Sequence, residues 1–193
     1  MYEKSKCIMM LTMLLSVTTM TACSSDNKQT SANDAFAYTV SIDGEQIEVA
    51  EDDANVDALK TTADKFLTAM LTKNYKSPDL TTEYELYTKE KREENEASGA
   101  IDAALAAMQT YELMQEVNEI DINNIEFFNL YGEKAAKVVT TVYATITDAT
   151  EAYYSAIGIG QNVKYKRNVE ITYILEDGTW RVSAYTATAR EVA

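Results

Sequence analysis

Histidine is missing from all 193 residues of this chain, and cysteine occurs only at Cys7 and Cys23. Without histidine, Ser-His-Asp and Cys-His nucleophile systems have no base, and ordinary zinc sites lose a principal ligand. The chemistry left open is acid–base work by carboxylates and tyrosines, or an all-oxygen Ca²⁺ or Mg²⁺ site. Positive charge is also scarce. Seventeen basic residues stand against 31 acidic ones, for a net charge of −14. Lys and Arg drive binding to phosphate backbones, so no nucleic acid is expected as a partner. Proline occurs once, at Pro78, and long apolar runs occur once, from Cys7 to Met20.

That single run decides the reading of the N-terminus. Met1-Tyr2-Glu3-Lys4-Ser5-Lys6 is a short charged start, and the apolar stretch after it falls short of the roughly 20 residues of a spanning helix. Charged start, apolar middle and small-residue end make a signal peptide over residues 1–22. Met20-Thr21-Ala22-Cys23 closes it. This tetrad resembles the lipobox of bacterial lipoproteins. The resemblance implies cleavage after Ala22 and a thioether-linked lipid, with palmitate, on Cys23. Residues 24–34 carry no large apolar side chain and cannot bury enough surface to order themselves. They read as a flexible tether reaching on the order of 20 Å. Omitting residues 1–22 removes Lys4, Lys6 and Glu3, leaving 15 basic against 30 acidic residues. Anionic headgroups would repel such a surface, so lipid on Cys23 would hold the membrane. The expected location is the extracytoplasmic face of the cell membrane, or an outer membrane where the cell has one.

The remaining residues, 35–193, read as one α+β domain. Asp43-Gly44 between alternating segments at 37–50 is a hairpin signal, with Val40 facing Ile47. Val56, Leu59, Ala63, Phe66, Leu67, Met70 and Leu71 recur at spacings of three and four, predicting an amphipathic helix over Asn55–Lys73. Thr82 and Glu85 stand in capping-box spacing, opening a second helix that runs through Lys89–Glu94 to a break at Ser98-Gly99. A third helix is expected over Ile101–Val117, with Ile101, Leu105, Met108 and Tyr111 inward. The period then changes. Ile120–Leu130 and Ala135–Asp148 surround Tyr131-Gly132-Glu133-Lys134. Val163–Glu176 and Thr179–Val192 surround Asp177-Gly178, a register that sets Leu175 opposite Trp180, Tyr173 opposite Val182 and Ile171 opposite Ala184. The expected architecture is three helices (55–117) packed on a four-stranded antiparallel curved sheet (120–192), preceded by a small hairpin.

The helix Val56–Lys73, the helices after it, the long strands and the closing Glu176-Asp177-Gly178-Thr179-Trp180-Arg181-Val182 resemble the nuclear-transport-factor-2-like superfamily. That cone-shaped fold includes ketosteroid isomerase and SnoaL-type cyclases, and the resemblance covers roughly residues 52–193. It implies a pocket between sheet and helices. For an isomerase-like enzyme it further implies a carboxylate base and a tyrosine donor there, which the residues do not place on named positions.

Among the 13 tyrosines, Tyr84, Tyr111, Tyr143 and Tyr173 are candidates to line such a pocket, or simply suit half-buried faces. Glu112 and Glu116, read as sharing a helix face, could raise one another's pKa, but with Glu119 and Asp121 they read rather as a solvated acidic edge. Asp121-Ile122-Asn123 lacks the glycine of a calcium loop, so no metal and no cofactor is expected. Gly158-Ile159-Gly160 lacks the strand–turn–helix setting of a phosphate loop. Ala152–Gln161 reads as a loop whose Tyr153, Tyr154, Ile157 and Ile159 mark either a partner or pocket-mouth surface or side chains folded onto the helices. Lys164-Tyr165-Lys166-Arg167 is a basic cluster, read as strand-edge gatekeeping. The expected function is a lipid-anchored binding or scaffold domain with a protein partner in the cell envelope. A small-molecule or ketosteroid-isomerase-like role is the alternative.

Overall fold

The first long helix owes its position to seven side chains. In a computed structural model, which describes residues 38–42, 45–49, 53–130 and 132–193, helix α1 spans Ala54–Leu71 and buries Val56, Leu59, Ala63, Phe66, Leu67, Met70 and Leu71. These are the seven positions marked by the apolar spacing. Asp53 caps the start by accepting from the Asn55 N–H at 2.8 Å, satisfying an N–H without an intrahelical partner. The helix stops at Leu71, two residues short of the expected Lys73, because Lys73–Asn74 (β3) pairs with Gln115 and Met114 instead. The signal, Cys23 and the tether lie outside the described residues, as does the Asp43-Gly44 turn.

A mixed α+β architecture follows, in which the sheet is wider and the helices more numerous than expected. The strands are β1 (Tyr38–Ile42), β2 (Glu45–Glu48), β3, β4 (Met114–Leu130), β5 (Glu133–Asp148), β6 (Lys164–Glu176), β7 (Thr179–Ala187) and β8 (Glu191–Val192). Their order is β2-β1-β4-β5-β6-β7, with β3 beside β4 and β8 beside β6. Pairing is antiparallel except between β1 and β4, which run parallel with Val40 abreast of Phe127. The small hairpin, in the expected Val40–Ile47 register, is thus the sheet's own edge and not a separate preface. Bulges interrupt the β4–β5 register between Met114 and Gln115, Val117 and Glu119, and Ile122 and Asn124. Each bends and twists its strand.

The helices after α1 correct the sequence expectation in three places. The expected second helix is two: α2 (Thr81–Glu85) and α3 (Lys89–Ser98). Between them the Val182 N–H donates to the Leu86 carbonyl and the Thr88 N–H to the Val182 carbonyl, both at 2.9 Å. Those bonds to β7 displace helical ones, and Thr88 then caps α3 by accepting from the Lys91 N–H. Thr82 lies inside α2, so the capping box does not form; Leu80 is the N-cap and supplies no side-chain bond. Helix α4 (Ala100–Thr110) ends seven residues before Val117. Glu112 adopts φ 49°, and the chain enters β4 at Met114. Of the four residues expected inward, Met108 is fully buried, whereas Ile101, Leu105 and Tyr111 are half-buried. Finally, Glu151–Ile157, expected as loop, is helix α5, closed by Gly158 in the left-handed conformation at φ 69°. Glycine adopts that conformation without steric cost.

The Asp177-Gly178 hairpin sets Leu175 opposite Trp180 and Tyr173 opposite Val182, as read, with both turn residues at positive φ. A register shift after Thr172 then places Ile171 opposite Tyr185, not Ala184, and β7 ends at Ala187. One face of β5 is buried from Ala136 to Ile146 at every second residue. Under α1 that face packs with Phe66, Ile125, Ile171, Tyr173, Trp180 and Val182. Each fully buried side chain of this size contributes about 1.5–3 kcal/mol. Farther along the same face, Ala144, Ile146, Ile159 and Tyr165 form a second cluster with Tyr153, Tyr154 and Ile157 of α5. Gln115 joins the two. Its side-chain amide donates to the Leu71 carbonyl and accepts from the Tyr165 hydroxyl at 2.9 Å. All described residues belong to one compact unit, Ala35–Ala193.

Candidate functional site

The space between α1 and the sheet, where a cone-shaped fold would keep its pocket, is occupied by the chain's own side chains. Val56, Leu59, Phe66, Leu67, Ile125, Val138, Ile171 and Tyr173 are all at 0 % exposure there. A cleft of about 490 Å³ lies instead on the outer flank of α1, between Asp64, Lys65, Thr68 and Thr72 and the segment carrying Asn74, Asp79 and Glu83. Two of its three carboxylates, Asp79 and Glu83, are engaged. Asp79 accepts from the Thr81 N–H at 2.8 Å, which with the Thr81 side chain holds its pKa low. Glu83 meets the Lys73 ammonium at 3.3 Å.

The tyrosine candidates do not converge. Tyr84 bonds Glu96 on α3. Tyr143 lies beneath the Lys164 ammonium, 4.6 Å from its ring centre. Tyr111 packs against Tyr153 at 5.2 Å. Tyr173 is wholly buried, its hydroxyl finds no partner among the described residues, and burial drives its pKa well above 10. The acidic candidates separate too. Glu112 is in the turn before β4, whereas Glu116, Glu119 and Asp121 are strand residues, so Glu112 and Glu116 share no helix face. Among the described residues no group of three or more acidic or cysteine side chains is placed to hold a metal ion.

The basic cluster divides by strand alternation. Lys164 reaches Glu119 at 3.6 Å and Lys166 reaches Glu191 at 3.9 Å. Tyr165 and Arg167 have the opposite parity, that of the buried face. Strand β6 lies between β5 and its neighbours β7 and β8, so these residues are not edge gatekeepers. Tyr153, Tyr154 and Ile157 are half-buried and Ile159 is buried, packed into the second cluster.

Two polar assemblies reach the rim of the covered face. In the first, the Tyr87 hydroxyl donates to Glu83 at 3.1 Å, and Phe66 packs edge-on against both Tyr87 and Tyr185. Burial, then the Glu83 charge, raises the Tyr87 pKa well above 10. In the second, an Arg190 Nη donates to the Tyr153 hydroxyl at 3.2 Å, and its guanidinium lies 5.3 Å from the Tyr165 ring centre. Arg167 is near enough to feel the Arg190 charge. Burial and then that charge hold its pKa below the usual range.

Sequence reading missed Arg190 altogether. No local pattern marks it, since its position depends on β8 returning to β6 beside Lys166. No family model matches the chain, and no curated protein matches it.

Proposed function

We propose that this chain is a lipid-anchored extracytoplasmic protein whose folded part binds or scaffolds a partner in the cell envelope. The anchor rests on Met20-Thr21-Ala22-Cys23 at the end of the one long apolar run. No helix among the described residues is long and apolar enough to cross a membrane. The observation that carries binding over catalysis is the side-chain filling between α1 and the sheet. We read the fold as nuclear-transport-factor-2-like, supported by long bulged antiparallel strands with α1 packed on one face.

The ketosteroid-isomerase-like alternative needs a carboxylate and a tyrosine facing a shared pocket. Glu83 lines the cleft and accepts from Tyr87, but its carboxylate is already matched by Lys73. That weighs against an acid–base role.

Detergent phase partitioning of the full chain and its Cys23→Ala variant, expressed in a bacterium with the lipoprotein pathway, tests the anchor. The wild type is expected in the detergent phase, with a mass increase on the peptide beginning at Cys23. The variant is expected to lose that mass. A variant with unchanged mass and cleavage site would reduce Cys23 to a bystander in an ordinary signal.

A further inference from the structure

We propose that Arg167 and Arg190 form a binding site for a small oxyanion, a carboxylate or phosphate group, at the rim of the covered face. The inference does not rest on the lipid anchor. It begins with charge. In this acidic chain Lys73, Lys89, Lys91, Lys137, Lys164 and Lys166 each meet a carboxylate within 4 Å. Arg167 and Arg190 meet none among the described residues, although both are half-buried and sit beside one another.

Placing two like charges together in a partly dry setting is costly unless an opposite charge joins them. The Nε of each arginine is buried and bonded to no acceptor among the described residues. Charged donors without acceptors are costlier still to leave unmet. The groups around the pair are aromatic hydroxyls and rings, Tyr153, Tyr165 and Tyr185, not carboxylates that would neutralise it.

The backbone on both sides of Arg190 is fixed to β6. The Thr188 N–H donates to the Asn168 carbonyl and the Asn168 N–H to the Thr188 hydroxyl, each at 3.0 Å. On the other side Glu191 pairs with Lys166 and Val192 with Tyr165. One step along that register sets Arg190 abreast of Arg167. Two guanidinium forks, one on β6 and one just before β8, suit the planar, two-oxygen geometry of a carboxylate or phosphate edge.

The test titrates the purified full chain with sodium benzoate and with sodium phosphate, against sodium chloride at equal ionic strength, following the melting temperature and heat of binding. Saturable stabilisation by benzoate, phosphate or both, beyond that of chloride, supports the site; which anion wins distinguishes a carboxylate ligand from a phosphorylated one. Arg167→Lys and Arg190→Lys keep the charge but lose the fork, and each is expected to weaken binding about tenfold or more. Lys166→Gln, on the opposite face of the same strand, is expected to leave it unchanged. Stabilisation no greater than chloride's, or an equal loss in Lys166→Gln, would overturn the proposal. Should either arginine variant fail to fold, side-chain NMR of the wild type decides. Protected arginine Nε–Hε resonances that shift with the anion support the site, and their standing still refutes it.

Discussion

Tyr165 and Tyr173 lie eight residues apart on the same face of β6, and both are at 0 % exposure. They differ in what their hydroxyls meet. The Tyr165 hydroxyl donates to the buried Gln115 amide at 2.9 Å, and that amide in turn donates to the Leu71 carbonyl. The Tyr173 hydroxyl meets no partner among the described residues. Removing one hydroxyl from each ring leaves apolar burial almost intact, so the two substitutions isolate the polar atom. An unpaired buried hydroxyl costs about 1–3 kcal/mol, and breaking a buried pair costs a similar amount by stranding the partner. Tyr173→Phe is therefore expected to stabilise by about 1 kcal/mol, raising the melting temperature roughly 2–4 °C for a unit of this size. Tyr165→Phe is expected to destabilise by about 1–3 kcal/mol. Urea denaturation followed by Trp180 fluorescence measures both, with an unchanged slope confirming that the unfolding reaction is the same. Equal losses from the two substitutions would refute the reasoning, because they would mean that the Tyr173 hydroxyl is as well satisfied as its neighbour's.

Two further outcomes follow from local geometry. Thr88→Ala removes the side-chain cap of α3 at a position only 5 % exposed, and is expected to lower the denaturation free energy by about 1 kcal/mol without moving the Thr88–Val182 backbone bond in hydrogen exchange. Tyr87 and Tyr173 both have pKa values raised above the ordinary 10.0, chiefly by burial. The unfolded chain releases these protons near pH 10 while the folded chain retains them, so stability is whole below pH 10 and declines above it. Denaturation midpoints measured across that range check the slope, which Tyr87→Phe should make shallower.

The elements legible in the sequence were those whose signal is local. Seven apolar residues at helical spacing named the whole buried stripe of α1, and Asp177-Gly178 set the register of its hairpin as far as Tyr173. What failed was decided by partners distant in the chain. Nothing near Leu86–Thr88 announces that Val182 will take its backbone bonds, and the helix-favouring run after Ala106 gives no warning that Met114 pairs with Asp148. Helix α5 was partly legible, since Gly158 stands where a helix of Tyr153, Tyr154 and Ile157 would close. The arginine pair was half legible. Strand alternation separates Arg167 from Lys164 and Lys166, but Arg190 becomes its neighbour only after the chain has looped back at Thr188.

The stitch between Leu86, Thr88 and Val182 has a consequence for assembly. Among the described residues the main path of the sheet runs from β2 to β7, with β3 and β8 each pairing on one side only. The outward backbone groups of Val182, midway along β7, are already used within the molecule. An unpaired strand is a template for another chain, and this stitch interrupts that template at the middle of β7. A second copy adding a strand along β7 would first have to break those two bonds, so this margin resists edge-to-edge pairing at its centre.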